Sequence, residues 1–481
     1  MQTQKRSGCL ISTPLSAYGT ALTGVPCLIF FTALFFLTSV TGAELVCYTL
    51  CWLFAAFLLL FCEDIFPLMG IAPLLYFSPS AVNNPGNNPQ SVFFPENGLN
   101  YIIFLIVTFV ALFFVRCYVN VKRGVVRPRL PGLTWGFVLL GVAFLSGGLG
   151  SGDVRSPGYG ALVFASLALL YFMFTVFFDF SRVPKDYFAY ILFCGGILIS
   201  AQLFWLYATG VPIVNGVVQK AKIVLGWGIS NNVGGCIAMM LPGAVYLAAV
   251  KRHGWLFLSA DILFFLAIVL SLSRTAIAVG FIILLVGCFF AAARARQANR
   301  VGLSIVFLGI CAAFAYLLWR DPERTLSILY DALRFQENGS GRVELYRKGV
   351  ELFLKYPVFG AGFYAVDIFS WGAAATFIPG RWHNTIVQIL ASCGSVGMIA
   401  YAIHRLQTLT LLFRKPCFEK SVIALFVTAL LLTSLFDCHL FNLGPGLWYS
   451  VMLSFAERGF EGRALSRRTS VCSAKGSITV C

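Results

Sequence analysis

Charge is what this chain has least of. Of its 481 residues 11% are charged, where a soluble protein carries about a quarter, and 59% are hydrophobic, with a mean hydropathy of +0.84. No aqueous globule hides that much apolar surface, so lipid is the solvent. Acidic residues are the scarcer kind: 19 Asp and Glu stand against 35 Lys and Arg, a formal net charge of +16. In a soluble protein that excess would suggest nucleic acid. Here no basic soluble domain exists to bind it, and no nucleic-acid partner is expected. The 15 Cys lack any CxxC pair followed by a second CxxC or a His pair, so there is no zinc signature. Most lie in apolar runs (Cys47, Cys51, Cys194, Cys236, Cys288, Cys311), where they act as small hydrophobes. No carboxylate cluster is rich enough for a divalent metal. There is no P-loop, and Gly360-Ala361-Gly362 follows no strand of a βαβ unit. No cofactor and no metal are expected, and no repeat of fixed period or long low-complexity linker divides the chain.

What is present is a succession of apolar runs of helical length. They cover 22–40, 44–62, 64–78, 100–118, 132–150, 158–178, 187–208, 230–250, 254–272, 274–293, 301–319, 384–412, 418–437 and 438–456. The third is short and is broken by Pro67, Gly70 and Pro73. Short basic clusters separate the runs: Lys5/Arg6, Lys122/Arg123/Arg127/Arg129, Arg182/Lys185, Lys251/Arg252, Arg294/Arg296/Arg300, Arg414/Lys415/Lys420 and Arg463/Arg467/Arg468. Placing every cluster in the cytoplasm gives a consistent weave with both termini inside, provided that 64–78 crosses. Val40-Thr41-Gly42-Ala43 faintly resembles a signal-peptidase site, but the next apolar run starts at once and an uncleaved first helix is expected. The expected fold is an all-α polytopic membrane protein of about 12–14 transmembrane helices. Its parts are amino-terminal transmembrane helices (1–229), helices leading to Arg274 (230–319), an extracytoplasmic segment (320–383), carboxy-terminal helices (384–456) and a cytoplasmic tail (457–481).

In that weave four segments face outward: 79–99, Ser146 to Gly160 with Asp153 and Arg155, 209–229 with Asn215, Lys220 and Lys222, and 320–383. The last has internal order. Glu323 to Phe335 shows helical spacing of Leu326, Ile328, Leu329 and Leu333, and Asn338-Gly339-Ser340-Gly341 breaks it. Asn338-Gly339-Ser340 also matches the glycosylation acceptor pattern, which arises often by chance. Arg342 to Tyr356 reads as an amphipathic helix with Val343, Tyr346, Val350 and Leu354 on one face; Pro357 ends it, and a weaker helical stretch lies between Tyr364 and Phe377. A helical cap lying on the membrane surface fits this pattern.

Several residues are candidates for chemistry, each with a plainer reading beside it. Arg381-Trp382-His383-Asn384 opens an apolar run at the outer edge. His383 reads either as an interfacial helix-cap residue or as a group that takes a proton near neutral pH. Asn384 reads as its orienter or a substrate ligand, and Arg381 as a source of positive potential. Arg274, where two runs meet, either snorkels to the interface or binds an anion with its planar fork. Arg342 is either a solvated helix residue or an anion ligand near a positive helix start. Asp437 and His439 flank another outer hairpin and form a candidate second polar site, while His404 and His253 read as structural.

These landmarks fall into one order: Ser273-Arg274-Thr275, Gly341-Arg342 before a helix, Tyr356-Pro357-Val358-Phe359-Gly360-Ala361-Gly362, then His383-Asn384 with Gln388, Leu390, Gly394 and Gly397. The order resembles the O-antigen ligase superfamily, which includes O-antigen-type polymerases and protein O-oligosaccharyltransferases. The likeness covers roughly residues 225–415. It implies a GT-C-like, metal-independent, inverting glycosyltransferase at the outer face of the inner (plasma) membrane. The donor would be an undecaprenyl-diphosphate-linked glycan, and the acceptor a glycan, a lipid or a protein. On this chain the resemblance implies that Arg274 and Arg342 hold the diphosphate and that His383 activates the acceptor. Asn232, Asn384, Arg381, Lys220 and Lys222 are the expected substrate ligands. A polytopic transporter or flippase for a polysaccharide precursor is the alternative from another class; it would place its polar positions near the bilayer midplane, often in repeated halves.

Overall fold

The computed structural model of the chain describes residues 24–62, 64–79, 99–126, 128–323, 341–366 and 379–460. The expected helix 323–335, the Asn338 acceptor pattern, most of the 79–99 and 364–377 segments, and the terminal basic clusters lie outside these residues.

Lipid offers no hydrogen-bond partner, so apolar runs close their backbone bonds internally as helices. Seven precede the 209–229 loop: α1 Val25–Thr41, α2 Glu44–Phe61, α3 Leu68–Leu75, α4 Leu99–Lys122, α5 Thr134–Ser146, α6 Ser156–Phe177 and α7 Tyr187–Ala208. Then follow α8 Ser230–Val250, α9 Gly254–Leu270, α10 Arg274–Arg294, α11 Gln297–Arg320, α12 Arg342–Lys355, α13 Thr385–Phe413, α14 Phe418–Asp437 and α15 Leu443–Arg458. Among the described residues eight of these (α2, α4, α6, α7, α8, α10, α13, α14) are long and apolar enough to cross a membrane. The protein is an all-α polytopic membrane protein. Its centre is α8, which is almost wholly buried and packs on α7, α9, α10 and α14. Gly234, Gly235 and Gly243 let its neighbours approach within side-chain distance of its backbone.

The reading of 64–78 as a plain crossing helix needs correction. Only eight residues, α3, are helical, a rise of about 12 Å against a hydrocarbon core of about 30 Å. The segment still traverses much of the bundle. Asp64 pairs with Arg182 at 3.1 Å and Phe66 lies against Tyr187, the first residue of α7. At its far end the Phe77 carbonyl accepts from Gln202 Nε2 at 2.6 Å, and Tyr76 packs against Gly444 of α15. Prolines shorten the helix, and burial inside protein makes the irregular ends tolerable.

The 209–229 loop holds two small antiparallel ribbons. β1 Ile213–Val214 pairs with β2 Val217–Val218, and β3 Val224–Leu225 with β4 Gly228–Ile229. The first turns on Asn215-Gly216, both at positive φ, as a two-residue hairpin turn requires.

The longest helix, α13, is broken. Gly394 has φ 64° and ψ −155° in its middle. The strap Pro357–Gly362, arriving from α12, fills the break with its own backbone. Ala361 N donates to Ala391 O at 2.7 Å and Gly362 N to Ser392 O at 3.2 Å. In return Ser395 N donates to Pro357 O at 2.8 Å and Val396 N to Val358 O at 3.2 Å. The Pro-x-x-Gly-x-Gly spacing is thereby explained: a Cβ on Gly360 would collide with Cys393 N, and one on Gly394 with the Val358 carbonyl.

Candidate functional site

At one end of the bundle three separate stretches meet. Asn384 caps α13, its Oδ1 accepting from Ile386 N at 2.9 Å and Val387 N at 3.1 Å. The cap turns the chain sharply, and His383 before it has φ 54°, a backbone conformation a non-glycine side chain rarely adopts. That conformation sends the imidazole toward the end of α14, where His383 Nδ1 meets Asp437 Oδ1 at 2.6 Å. Arg342 arrives from the first position of α12. Its Nη1 donates to the Phe436 carbonyl, and its Nη2 stands 4.0 Å from the same Asp437 oxygen. Tyr346, one turn further along α12, donates its hydroxyl to the His383 carbonyl at 3.0 Å. The Asp437 carboxylate thus joins an imidazole and a guanidinium from elements far apart in sequence.

The next residues are strained in the same way. Cys438 has φ 52°, and His439 lies buried against Gly235 of α8. Burial pushes the His439 imidazole down from its usual pKa, with His383 and Arg342 adding to the effect and Asp437 opposing it.

Arg274 opens α10, with the Ser273 hydroxyl accepting from Ala276 N. Ser273 packs against Gly234, the α8 residue next to the one that His439 touches, so Arg274 is anchored at the same end. Its side chain is exposed and makes no hydrogen bond or ion pair with the described residues. Leu272, two residues before it, is a third strained position, at φ 54°.

The remaining expected site residues divide. Asn232 Oδ1 accepts from Asn442 Nδ2 at 3.3 Å, at the same end. Lys220 and Lys222 form a single 3-10 turn between the two ribbons, with Lys222 exposed. Arg381 is occupied structurally. It donates to the carbonyls of Pro379 at 2.8 Å and Phe441 at 3.2 Å and to the Tyr159 hydroxyl, and lies 5.1 Å from that ring's centre. Trp382 is fully buried between α12 and α13. His404 is buried and meets the Tyr449 hydroxyl at 3.0 Å, as its structural reading anticipated.

The sequence assigned Asp437 and His439 to a second polar site, but Asp437 and His383 form one. Nothing in the linear pattern links positions 54 residues apart. The available signal was a lone carboxylate ending an apolar run at the outer edge, where an unpaired charge is costly.

With this geometry in place, comparison with known families gives one match: residues 259–402 match the family model described as O-antigen ligase. The matched stretch takes in Arg274, Arg342, Arg381, His383 and Asn384, and stops short of Asp437. The match covers less than a third of the chain and likens that part, with its candidate residues, to O-antigen ligases. No curated protein matches the chain significantly.

Proposed function

We propose that this protein moves a glycan from a polyprenyl diphosphate, undecaprenyl diphosphate in particular, to an acceptor hydroxyl at the outer face of the inner (plasma) membrane. The observation that carries the reading is the convergence of His383 and Arg342 on Asp437 at one end of a membrane bundle. With Nδ1–H donated to the carboxylate, the imidazole keeps its lone pair on Nε2. That nitrogen takes the proton of the acceptor O–H, and the freed oxygen attacks the anomeric carbon. The bond from that carbon to the phosphate oxygen breaks, and the diphosphate leaves with the electron pair. Guanidinium groups stabilise this developing charge where lipid and protein exclude water.

The two arginines do not carry equal weight. Arg274 is exposed and without a partner among the described residues, which leaves its fork for phosphate oxygens. Arg342 shares its charge with Asp437 and the Phe436 carbonyl near the end of α14, and serves the diphosphate with its remaining donors. Asn232, Lys222 and Lys220 would add polar contacts around the donor. Arg381 and Asn384 act chiefly by holding the His383 turn. In-line attack makes the reaction inverting, and cations in place of a metal make it metal-independent.

A transporter is the competing class, and broken helices such as α13 occur in transporters. There the freed backbone groups meet the cargo. Here the Pro357–Gly362 strap already occupies them.

The test is transfer from lipid-linked donor by reconstituted protein. His383→Ala should cut turnover by roughly 10²–10⁴-fold, the usual worth of a general base, while donor binding persists. Unimpaired transfer by that variant would remove the proposed base. A product that retains the donor's anomeric configuration would overturn the single-displacement step.

A further inference from the structure

A second concavity lies on the far side of α12 from His383. Its volume is about 660 Å³, within the roughly 300–1,000 Å³ range of small-ligand sites. Its polar lining comes from two elements: Lys348, Glu351, Lys355 and Tyr356 at the end of α12, and Ser151 and Asp153 of the α5–α6 loop. At about 100° per residue Lys348, Glu351 and Lys355 stand opposite Arg342 and Tyr346, which face the His383 centre. Between the two faces sits Trp382, packed on Gly349.

The lining decides the ligand class. Two cations and two carboxylates line the cleft, so their charges cancel. Lys348 is held by Glu351 at 3.2 Å, and Lys355 lies 5.3 Å from the centre of the Tyr356 ring. A diphosphate would need an excess of positive charge. The cleft has an apolar side, but a polyprenyl tail laid on it would strip water from the charged groups of Lys355, Glu351 and Asp153. What fits is a neutral, polyhydroxylated ligand: donors and acceptors of both kinds for its hydroxyls, and an aromatic ring with Leu352 and Ala365 for its C–H faces. A ligand that engages both this cleft and the His383 centre must pass round α12, which a single sugar cannot do and a polymer strand can.

We propose that this cleft is a saccharide subsite that grips the body of a glycan strand whose reacting end lies at His383. This rests on the glycan-transfer reading, and the strand belongs either to the donor or to the acceptor.

The experiment separates the two layers of inference. Binding is measured with the His383→Ala protein in nanodiscs, so no transfer is needed. The probes are free oligosaccharides of one to several repeat units, released by mild acid from the lipid-linked pool of the same cells. Affinity should rise with chain length, and Lys348→Ala/Lys355→Ala in that background should lose at least tenfold. Lys355 is exposed and Lys348 half-buried, and an unchanged melting temperature would show that the fold is intact. Inorganic pyrophosphate should not displace the sugar. Equal binding with and without the two lysines, or displacement by pyrophosphate, would overturn the subsite. In the otherwise wild-type enzyme the same double substitution should raise the KM of one substrate with kcat unchanged, and the substrate affected identifies the strand. If neither KM moves, the subsite falls while the transfer reading stands. Lysine-dependent oligosaccharide binding by a protein that never transfers would do the opposite, keeping the subsite and removing the transfer reading.

Discussion

At the scale of single residues, the centre depends on one turn of chain doing two tasks. Asn384 holds the start of α13, and His383 takes its direction from that cap. Asn384→Ala should cost about 0.5–2 kcal/mol, the usual worth of a cap, with a partial loss of transfer. Asn384→Asp should restore the cap, so melting temperature and turnover should recover together; turnover that stays low in a protein of normal stability would instead mean that the amide touches substrate. Asp437→Asn separates orientation from charge. It keeps the shape but lets the imidazole adopt either tautomer, and transfer should fall at least tenfold with little change in donor binding. His439 supplies a pH prediction. Its folded-state pKa is depressed, so the buried neutral form favours the fold fully above about pH 6.5, the ordinary histidine value. That contribution is lost as pH falls below it, because the unfolded chain then binds the proton more readily. Melting temperature should therefore drop between pH 7 and pH 5, and less steeply in His439→Gln. His383, Arg274 and Arg342 could be singled out in the sequence because charge and imidazole are rare beside apolar runs. Asp437 as the partner of His383 could not be, because pairing across 54 residues leaves no local pattern.

At the scale of elements, periodicity identified α12 and the long apolar helices within a few residues. It failed where helices are interrupted, because hydropathy reports burial and says nothing of backbone geometry. α3 is the clear case: a continuous apolar run with two prolines yields eight helical residues. Gly394 was visible as one more glycine in a run, while its function depends on the distant Pro357–Gly362 strap. Two substitutions test that partnership. Gly360→Ala and Gly394→Ala each combine a left-handed backbone, worth roughly 1–3 kcal/mol of strain, with a collision against main chain. Both should lower the melting temperature in detergent and the yield of folded protein. Gly341→Ala, which is also at positive φ but meets no neighbouring atom, should be milder. Equal losses at all three would show that backbone strain alone, and not the interlock, sets the cost.

At the scale of the whole molecule, composition alone forced a bundle in lipid, and the basic clusters proposed its sidedness. The packing is consistent with that proposal, since Asp437, Arg274, Asn232 and the 209–229 ribbons gather at one end. The opposite end carries Lys251, Arg182 and Asp64, with Lys251 paired to Asp186. Cysteines introduced at Lys222 and Lys415 read the orientation directly. In intact cells a membrane-impermeant maleimide should label Lys222→Cys, and it should reach Lys415→Cys only after permeabilisation. The reverse pattern would put the His383 centre in the cytoplasm, away from any donor presented outside.

The strap across α13 also constrains the order of assembly. Chain synthesis delivers Pro357–Gly362 before Gly394, so the carbonyls and amides that the broken helix needs are made before the helix itself. A half-inserted α13 without them would expose bare peptide groups to hydrocarbon. The half of α13 with His383 at its tip therefore owes its backbone hydrogen bonding at the break to a strap from outside the helix.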